Sequence, residues 1–475
     1  MTALLREGGR PLWIVLGIAL LARIAIAFWP ILHHADEVWQ YLEPARHLTS
    51  GPWIETWEFR GGARSWFLPL LFAGPMALGH LLPEGLVPDM LFPRLLCAML
   101  ALGTVAGAAG LGFRLSRLHG LIAAFTACIW YELVYFGGRT LSEPIAVSLF
   151  VLAAWLLHFG GRKLILAGLL LALCCVVRFQ YAPAVLALAA VALRLDLRGW
   201  LALVKGGLAG LAIGALADVA TGDIPYAWIV RNLTENLVEN RSAGFGTEPF
   251  YWYLVAMWKL WPVVLLPMVA LAVLGARRYP ALLAAALVNL AVHMAIPHKE
   301  YRFILLTTSL LVLLASIGSV DLMQRWRRMR QPALALGTGW LAVSALCAGV
   351  GEAGGGRWGE NRGLVKAWRA AAGVPDACGI AIYRMDPLIA SHALFGRDAP
   401  IYQYGGAQAG AARSSRAFNL VLTPFDRGPE LPGYRLVGCS DGNRRYCLYR
   451  RPGPCAPGAA DAPFEANSVL RAGNF

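Results

Sequence analysis

Apolar residues in this chain come in long unbroken runs and not in alternating stripes, so most predicted elements are helices without a polar face. Runs begin near Pro11, Met90, Gly120, Leu141, Lys163, Tyr181, Trp200, Tyr251, Pro280, Arg302 and Ala333. A helix crossing ~30 Å of hydrocarbon takes about 20 such residues, so the pattern predicts about eleven transmembrane spans. The stretch from Ser65 to Leu82 is shorter and carries Pro69, Pro75 and His80, which predicts a helix lying in or dipping into the interface. After Val350 the long runs stop. CGIAIYRM, DPLIASHALFG and PIYQY read as strand, helix and strand, followed by FNLVLTP and a hairpin around Ser440-Asp441-Gly442-Asn443. The expected fold class is an all-α polytopic membrane protein with a small C-terminal α/β domain outside the membrane. The boundary falls between residues 350 and 351, in GEAGGGRWG, and the end from Pro452 reads as disordered.

Composition agrees with the pattern: the 475 residues are 58% hydrophobic and only 15% charged, which is the membrane class. A formal charge of +14 raises the question of nucleic acid, but no basic stripe interleaved with aromatics is present. The cations instead sit in short links: Arg6/Arg10, Arg114/Arg117, Arg162/Lys163, Arg194/Arg198, Arg277/Arg278 and Arg325/Arg327/Arg328/Arg330. By the positive-inside tendency all of these face the cytoplasm, with the amino terminus inside and the carboxyl terminus outside. A span at Ser65–Leu82 would put Arg114 and Arg117 on the wrong side. Arg6 and Arg10 before an apolar run mimic a signal peptide, but the many later runs make this an uncleaved first span.

With that topology the richer polar clusters gather on the outer face: residues 36–64, 137–144, 178–181, 218–249 and 298–303. The loop from Asp218 to Pro249 reads as an amphipathic helix, Tyr226 to Asn240, with sequons at Asn232 and Asn240. Of nine cysteines, Cys97, Cys128, Cys174, Cys175 and Cys347 lie in apolar runs. Cys439 and Cys447 flank the tail hairpin, and an oxidising exterior favours a disulfide there, with Cys378 and Cys455 as second partners. The densest cluster follows the first run: Asp36, Glu37, Gln40 and Glu43 stand where the chain leaves the bilayer. Carboxylates are costly near lipid, so such a group marks a functional site.

The pieces DEVWQYLEP, TWEFRGGARSW, FGGRTLSEP, VRFQYAP, GFGTEPFYWY and HKEYRF, in this order between Ile31 and Phe303, together resemble glycosyltransferase family 22. These are the polyprenyl-phosphate-mannose-dependent mannosyltransferases of N-glycan and glycosylphosphatidylinositol assembly, in the multi-span GT-C superfamily. Glu143 stands where many members carry Asn, and the region around Asp218 is looser than the family's usual run. The resemblance implies an inverting mannosyltransferase using a polyprenyl-phosphate sugar donor and a lipid-linked or glycan acceptor, among membrane lipids, with no nucleic acid, cofactor or metal. His33, His34 and Asp36 with Asp218 or His298 are weighed as metal ligands and set aside, because neighbouring histidines seldom share one ion.

Asp36, with Glu37 beside it, resembles the superfamily's acidic pair and is expected to be the general base, since the attacking hydroxyl must lose a proton. The competing reading is a helix N-cap for Glu37 to Leu48, against which Gln40 and Glu43 stand on the same face at i+4 and i+7. His298, Lys299 and Arg302, with Arg139 and Arg178, are expected at the donor phosphate, where charge grows as the sugar departs. Interfacial snorkelling is their plainer role. Gln40, Glu43, Trp57, Glu58, Arg64, Glu143, Gln180, Asp218 and Glu300 are expected around the substrates. A secondary transporter or lipid flippase is the alternative; it should place charges at the midplane and show repeated halves, and the sequence shows neither. High Ala, Gly and Arg favours a bacterial plasma membrane with a periplasmic active face, the alternative being the endoplasmic reticulum with a luminal one.

Overall fold

Each of the predicted runs forms a helix in the computed structural model, which describes all residues except 1, 84–86, 326–330, 351–356, 386–388, 407, 426–427, 443 and 474–475. Arg327, Arg328, Arg330, the GEAGGG link and Asn443 lie outside the described residues. Among the described residues, five helices are long and apolar enough to cross a membrane: Glu7–Phe28, Leu91–Phe113, Leu197–Ala220, Tyr301–Arg325 and Pro332–Gly349. Two bent pairs, Arg117–Ile129 with Tyr131–Gly137 at 57° and Trp252–Leu260 with Leu265–Ala276 at 104°, raise the number to seven if each is one span. The expected eleven are therefore not all full-length spans. Ser142–Leu156, Phe179–Leu193 and Pro280–Ala295 are apolar but short, and at 1.5 Å per residue a helix of 16 residues reaches only about 24 Å.

Contacts divide the chain into two units. The first comprises Met1–Ala27 and Leu95–Gly355. Its helices Arg162–Val177 and Leu197–Ala220 meet backbone to backbone: a Cβ on Gly168 would strike the Leu203 carbonyl, and one on Gly206 the Ile165 carbonyl. Small residues at such crossings let helices gain dispersion contacts where no hydrophobic effect separates lipid from protein. Gly275 and Gly318 do the same for Leu265–Ala276 and Tyr301–Arg325. The break at Trp130 is repaired by a buried cation: Arg23 donates to the carbonyls of Ala127 at 2.9 Å and Cys128 at 3.2 Å. Those carbonyls belong to the last turn of Arg117–Ile129, where positive charge also suits the helix dipole.

The second unit joins Phe28–Arg94 with Gly356–Phe475. Where the sequence suggested a single cut near residue 350, the segment after the first helix packs with the tail. Trp39 Nε1 donates to the Ala390 carbonyl at 2.9 Å, and the Glu55 amide donates to Asn467 Oδ1 at 2.9 Å. The tail forms a five-stranded sheet from β1 (Ile380–Tyr383), β2 (Ile401–Tyr404), β3 (Leu420–Pro424), β4 (Arg435–Cys439) and β5 (Tyr446–Arg450), in the order β2-β1-β3-β5-β4. β1 pairs in parallel with β2 and β3, while β3 and β4 run antiparallel to β5. β1 and β2 are buried throughout, the pattern of strands covered on both faces. The helix expected between them shrinks to one turn, His392–Phe395, capped by Ser391.

The expected disulfide Cys439–Cys447 is formed, and Cys378 and Cys455, named as second partners, are bonded to each other. The end beyond Pro452, expected to be disordered, is ordered through residue 473. Glu465 bridges to Tyr402, Phe464 stacks on Tyr404 at 4.6 Å, and Leu470 on the helix Ala466–Ala472 is fully buried. Two apolar anchors and the Cys378–Cys455 bond hold a segment whose composition alone is loop-like.

Candidate active site

In the second unit, Asp36 begins the acidic stretch at the N-cap of a π-helix, Glu37–Leu42, that runs on into the α-helix Glu43–Leu48. Its side chain makes no capping hydrogen bond. Instead His34 Nδ1 accepts the Asp36 amide at 3.2 Å and lies 3.2 Å from Asp36 Oδ1. The carboxylate remains 20% exposed. The capping reading of Asp36 therefore loses its geometric basis.

The three neighbouring carboxylates are fixed elsewhere. Glu37 is fully buried: one oxygen accepts the His33 amide at 2.7 Å and the other pairs with the buried Arg94 at 2.9 Å. Glu43, also fully buried, accepts from Ile54 N at 2.7 Å, Ser391 Oγ at 2.7 Å and Ala393 N at 2.8 Å. Burial pushes its carboxyl up to about 7, against the pull of those donors and Arg46. Glu58 receives Arg64 at 2.6 and 2.9 Å and Gln40 Nε2 at 3.3 Å. The common face expected for Gln40 and Glu43 does not form, because i→i+5 bonds before Leu42 replace regular α-helical spacing. Gln40 turns to Glu58 and Glu43 to the tail. Trp57 is half-buried beside Glu58; stacking in this loop is carried by His47, Trp53, Phe59 and Trp66, with His47 on Trp53 at 4.7 Å.

In the first unit, a second cluster forms where three segments meet. Glu143, on the first turn of Ser142–Leu156, is fully buried between Arg178 at 3.0 Å and Arg302 at 3.5 Å. Arg302 also clasps Glu300 through Nε at 2.6 Å and a terminal nitrogen at 3.0 Å. His298 completes the group, its Nε2 3.2 Å from Glu300 and its Nδ1 2.9 Å from the Gly246 carbonyl. The hydrogen bond to Glu300 raises the His298 pKa. Lys299 is buried, donates to the Ile296 carbonyl and faces the Tyr253 ring at 6.0 Å; burial lowers its pKa.

The i, i+4 helical face expected for His298 and Arg302 is absent, since Glu300 is extended and the helix begins only at Tyr301, with a 3-10 turn to Ile304. Both reach Glu300 all the same. Arg139 is fully buried over the Tyr135 ring at 5.2 Å, and Gln180 is half-buried in the turn Phe179–Tyr181. Asp218, buried at the end of its helix, accepts the Tyr226 amide at 2.9 Å. That bond ties the start of the following loop back to the helix end. Sequence reasoning missed Arg94 and Ser391, the partners of Glu37 and Glu43. Nothing in a short polar run indicates which distant side chain will answer it.

Residues 13–350 match the family model described as the Alg9-like mannosyltransferase family. The chain is 28% identical over 313 residues to GPI mannosyltransferase 3 of Drosophila melanogaster, covering 61% of this chain and 52% of that protein. GPI alpha-1,2-mannosyltransferase 3 of Mus musculus is 28% identical over 288 residues, covering 57% and 52% respectively. The chain thus spans about half the length of the curated relatives it matches. Among solved structures, ArnT from Cupriavidus metallidurans bound to undecaprenyl phosphate superposes with a TM-score of 0.61 at 12% identity, covering 95% of this chain and 100% of that one. The likeness to ArnT is one of fold. With the family model matching most of its length, the chain belongs to the Alg9-like mannosyltransferase family.

Proposed function

We propose that the protein is an integral-membrane inverting mannosyltransferase that moves mannose from a polyprenyl-phosphate donor to a lipid-linked or glycan acceptor. The carrying observation is the contrast within the first outer loop. Glu37, Glu43 and Glu58 are buried and hold the fold through Arg94, Ser391 and Arg64, whereas Asp36, beside His34, keeps a carboxylate that is 20% exposed. As the acceptor oxygen bonds to the anomeric carbon, Asp36 takes the hydroxyl proton, the bond to the phosphate oxygen breaks, and its electron pair stays on the phosphate. Arg302, Lys299 and Arg178, with His298, are the cations that receive that charge. Glu143 and Glu300 hold the guanidiniums in place beforehand, so little reorganisation is needed as charge develops.

Family membership supports the sugar, and a fold shared with a protein crystallised with undecaprenyl phosphate supports the lipid carrier. The active face is extracytoplasmic. The relatives above are animal GPI mannosyltransferases, which favours the endoplasmic reticulum lumen over the plasma membrane first expected from composition. Purified full-length protein should transfer radiolabelled mannose from polyprenyl-phosphate mannose to a host lipid fraction. Transfer from GDP-mannose without any polyprenyl phosphate would overturn the donor assignment.

A further inference from the structure

Outside both clusters, and besides Asp218, the first unit buries a carboxylate that the reaction above does not use. Glu132, 1% exposed, accepts hydrogen bonds from Trp130 Nε1 at 3.0 Å, Trp261 Nε1 at 3.2 Å and the Tyr301 hydroxyl at 2.5 Å. Trp130 is the break of one bent span pair and Trp261 opens the break of the other. Their rings meet edge to face at 5.5 Å, and Tyr131 beside them donates to the Leu260 carbonyl at 3.1 Å. A single side chain thus ties two broken spans to the turn Tyr301–Ile304. Burying a carboxylate among neutral donors is costly, and apolar packing of the same volume commonly serves stability as well or better. What Glu132 fixes that packing would not is the height and rotation of that turn. The next residue is Arg302, whose guanidinium lies between Glu143 and Glu300.

We propose that Glu132 is a positioning residue for glycosyl transfer: by holding the Tyr301 hydroxyl it sets Arg302 where the departing phosphate develops charge. The inference rests on the reading of Arg302 as a phosphate partner, and the test separates the two. Full-length Glu132→Gln, Tyr301→Phe, Arg302→Lys and the Glu132→Gln/Arg302→Lys double variant are assayed with polyprenyl-phosphate mannose and the host lipid fraction, each beside its thermal midpoint. Glu132→Gln can keep an oxygen for the two indoles but then replaces the acceptor of the Tyr301 hydroxyl with an N–H2 donor. Tyr301→Phe removes one hydroxyl and leaves the ring, which keeps a folded probe should Glu132→Gln unfold.

Both single changes should lower kcat roughly tenfold or more, as small misplacements of catalytic groups do, with the donor KM changed less than about threefold. The double variant should be no more than about twofold worse than Arg302→Lys alone, because Glu132 then has nothing left to position. Multiplied losses in the double variant, or normal kcat in Tyr301→Phe, overturn the proposal. So does a loss of activity that only follows a lowered thermal midpoint. If Arg302→Lys turns over normally, the phosphate reading falls and this inference falls with it. An impaired Arg302→Lys with multiplied losses removes this inference alone.

Discussion

Glu43 makes the attachment of the tail to the segment after the first helix dependent on pH. Its carboxyl is fully buried, and burial moves it from its ordinary 4.5 to about 7 in spite of donors from Ile54, Ser391 and Ala393. A folded-state pKa above the unfolded one means that the native state holds the proton more tightly. The contribution from that proton is fully present below 4.5 and is lost as pH rises through about 7. A displacement of this size corresponds to stability on the order of 3 kcal/mol. Glu43→Gln is neutral at every pH; its carbonyl still accepts from Ser391 and Ala393, while its N–H2 confronts the Ile54 amide. The variant should therefore be weaker at pH 5 and flat across the window. Hydrogen exchange read by mass spectrometry on full-length protein in detergent, corrected for intrinsic rates, reports protection in peptides containing Ile54 and Ala393. Wild-type protection should fall between pH 5 and 8 and the variant's should not. Equal slopes in the two proteins would refute the assignment of the shift to Glu43.

Removing Arg94 takes the ion-pair partner from the buried Glu37, so Arg94→Leu should destabilise the protein by about 3–5 kcal/mol, and Glu37→Gln on that background should restore part of the loss in thermal melts. Gly206→Val drives a side chain into the Ile165 carbonyl, whereas Gly207, one position on, has open space around its Cβ position. The first change should cost at least roughly 1–3 kcal/mol and the monodisperse peak in size-exclusion chromatography; Gly207→Ala should leave both unchanged.

The positions of the helices were legible in the run pattern, and the tail's strands in its short apolar segments. Span length was not. Trp130 ends a helix with no Gly or Pro beside it, and the break is stable only because Arg23 and Ser344, distant in sequence, satisfy the carbonyls it leaves. Pro262, just after Trp261, was a readable sign of the other break, but not of its 104° bend. The candidate site was legible as residue types: Asp36, Glu143, Arg178, Glu300 and Arg302 were all picked out beforehand. Their division of labour was not, because Glu37 looks in sequence as available as Asp36 until Arg94 is found against it. Glu132 left a sign that went unread, an acidic residue inside an apolar run, the placement that lipid makes costly.

The account turns on Asp36, and one measurement reaches it most directly. Full-length Asp36→Asn keeps the side-chain volume and the polar contact with His34 while removing the proton acceptor. In the polyprenyl-phosphate mannose assay, turnover should fall by roughly 100-fold or more, with expression, thermal midpoint and donor binding as in the wild type. Near-normal turnover in that variant would contradict the assignment of Asp36 as the base.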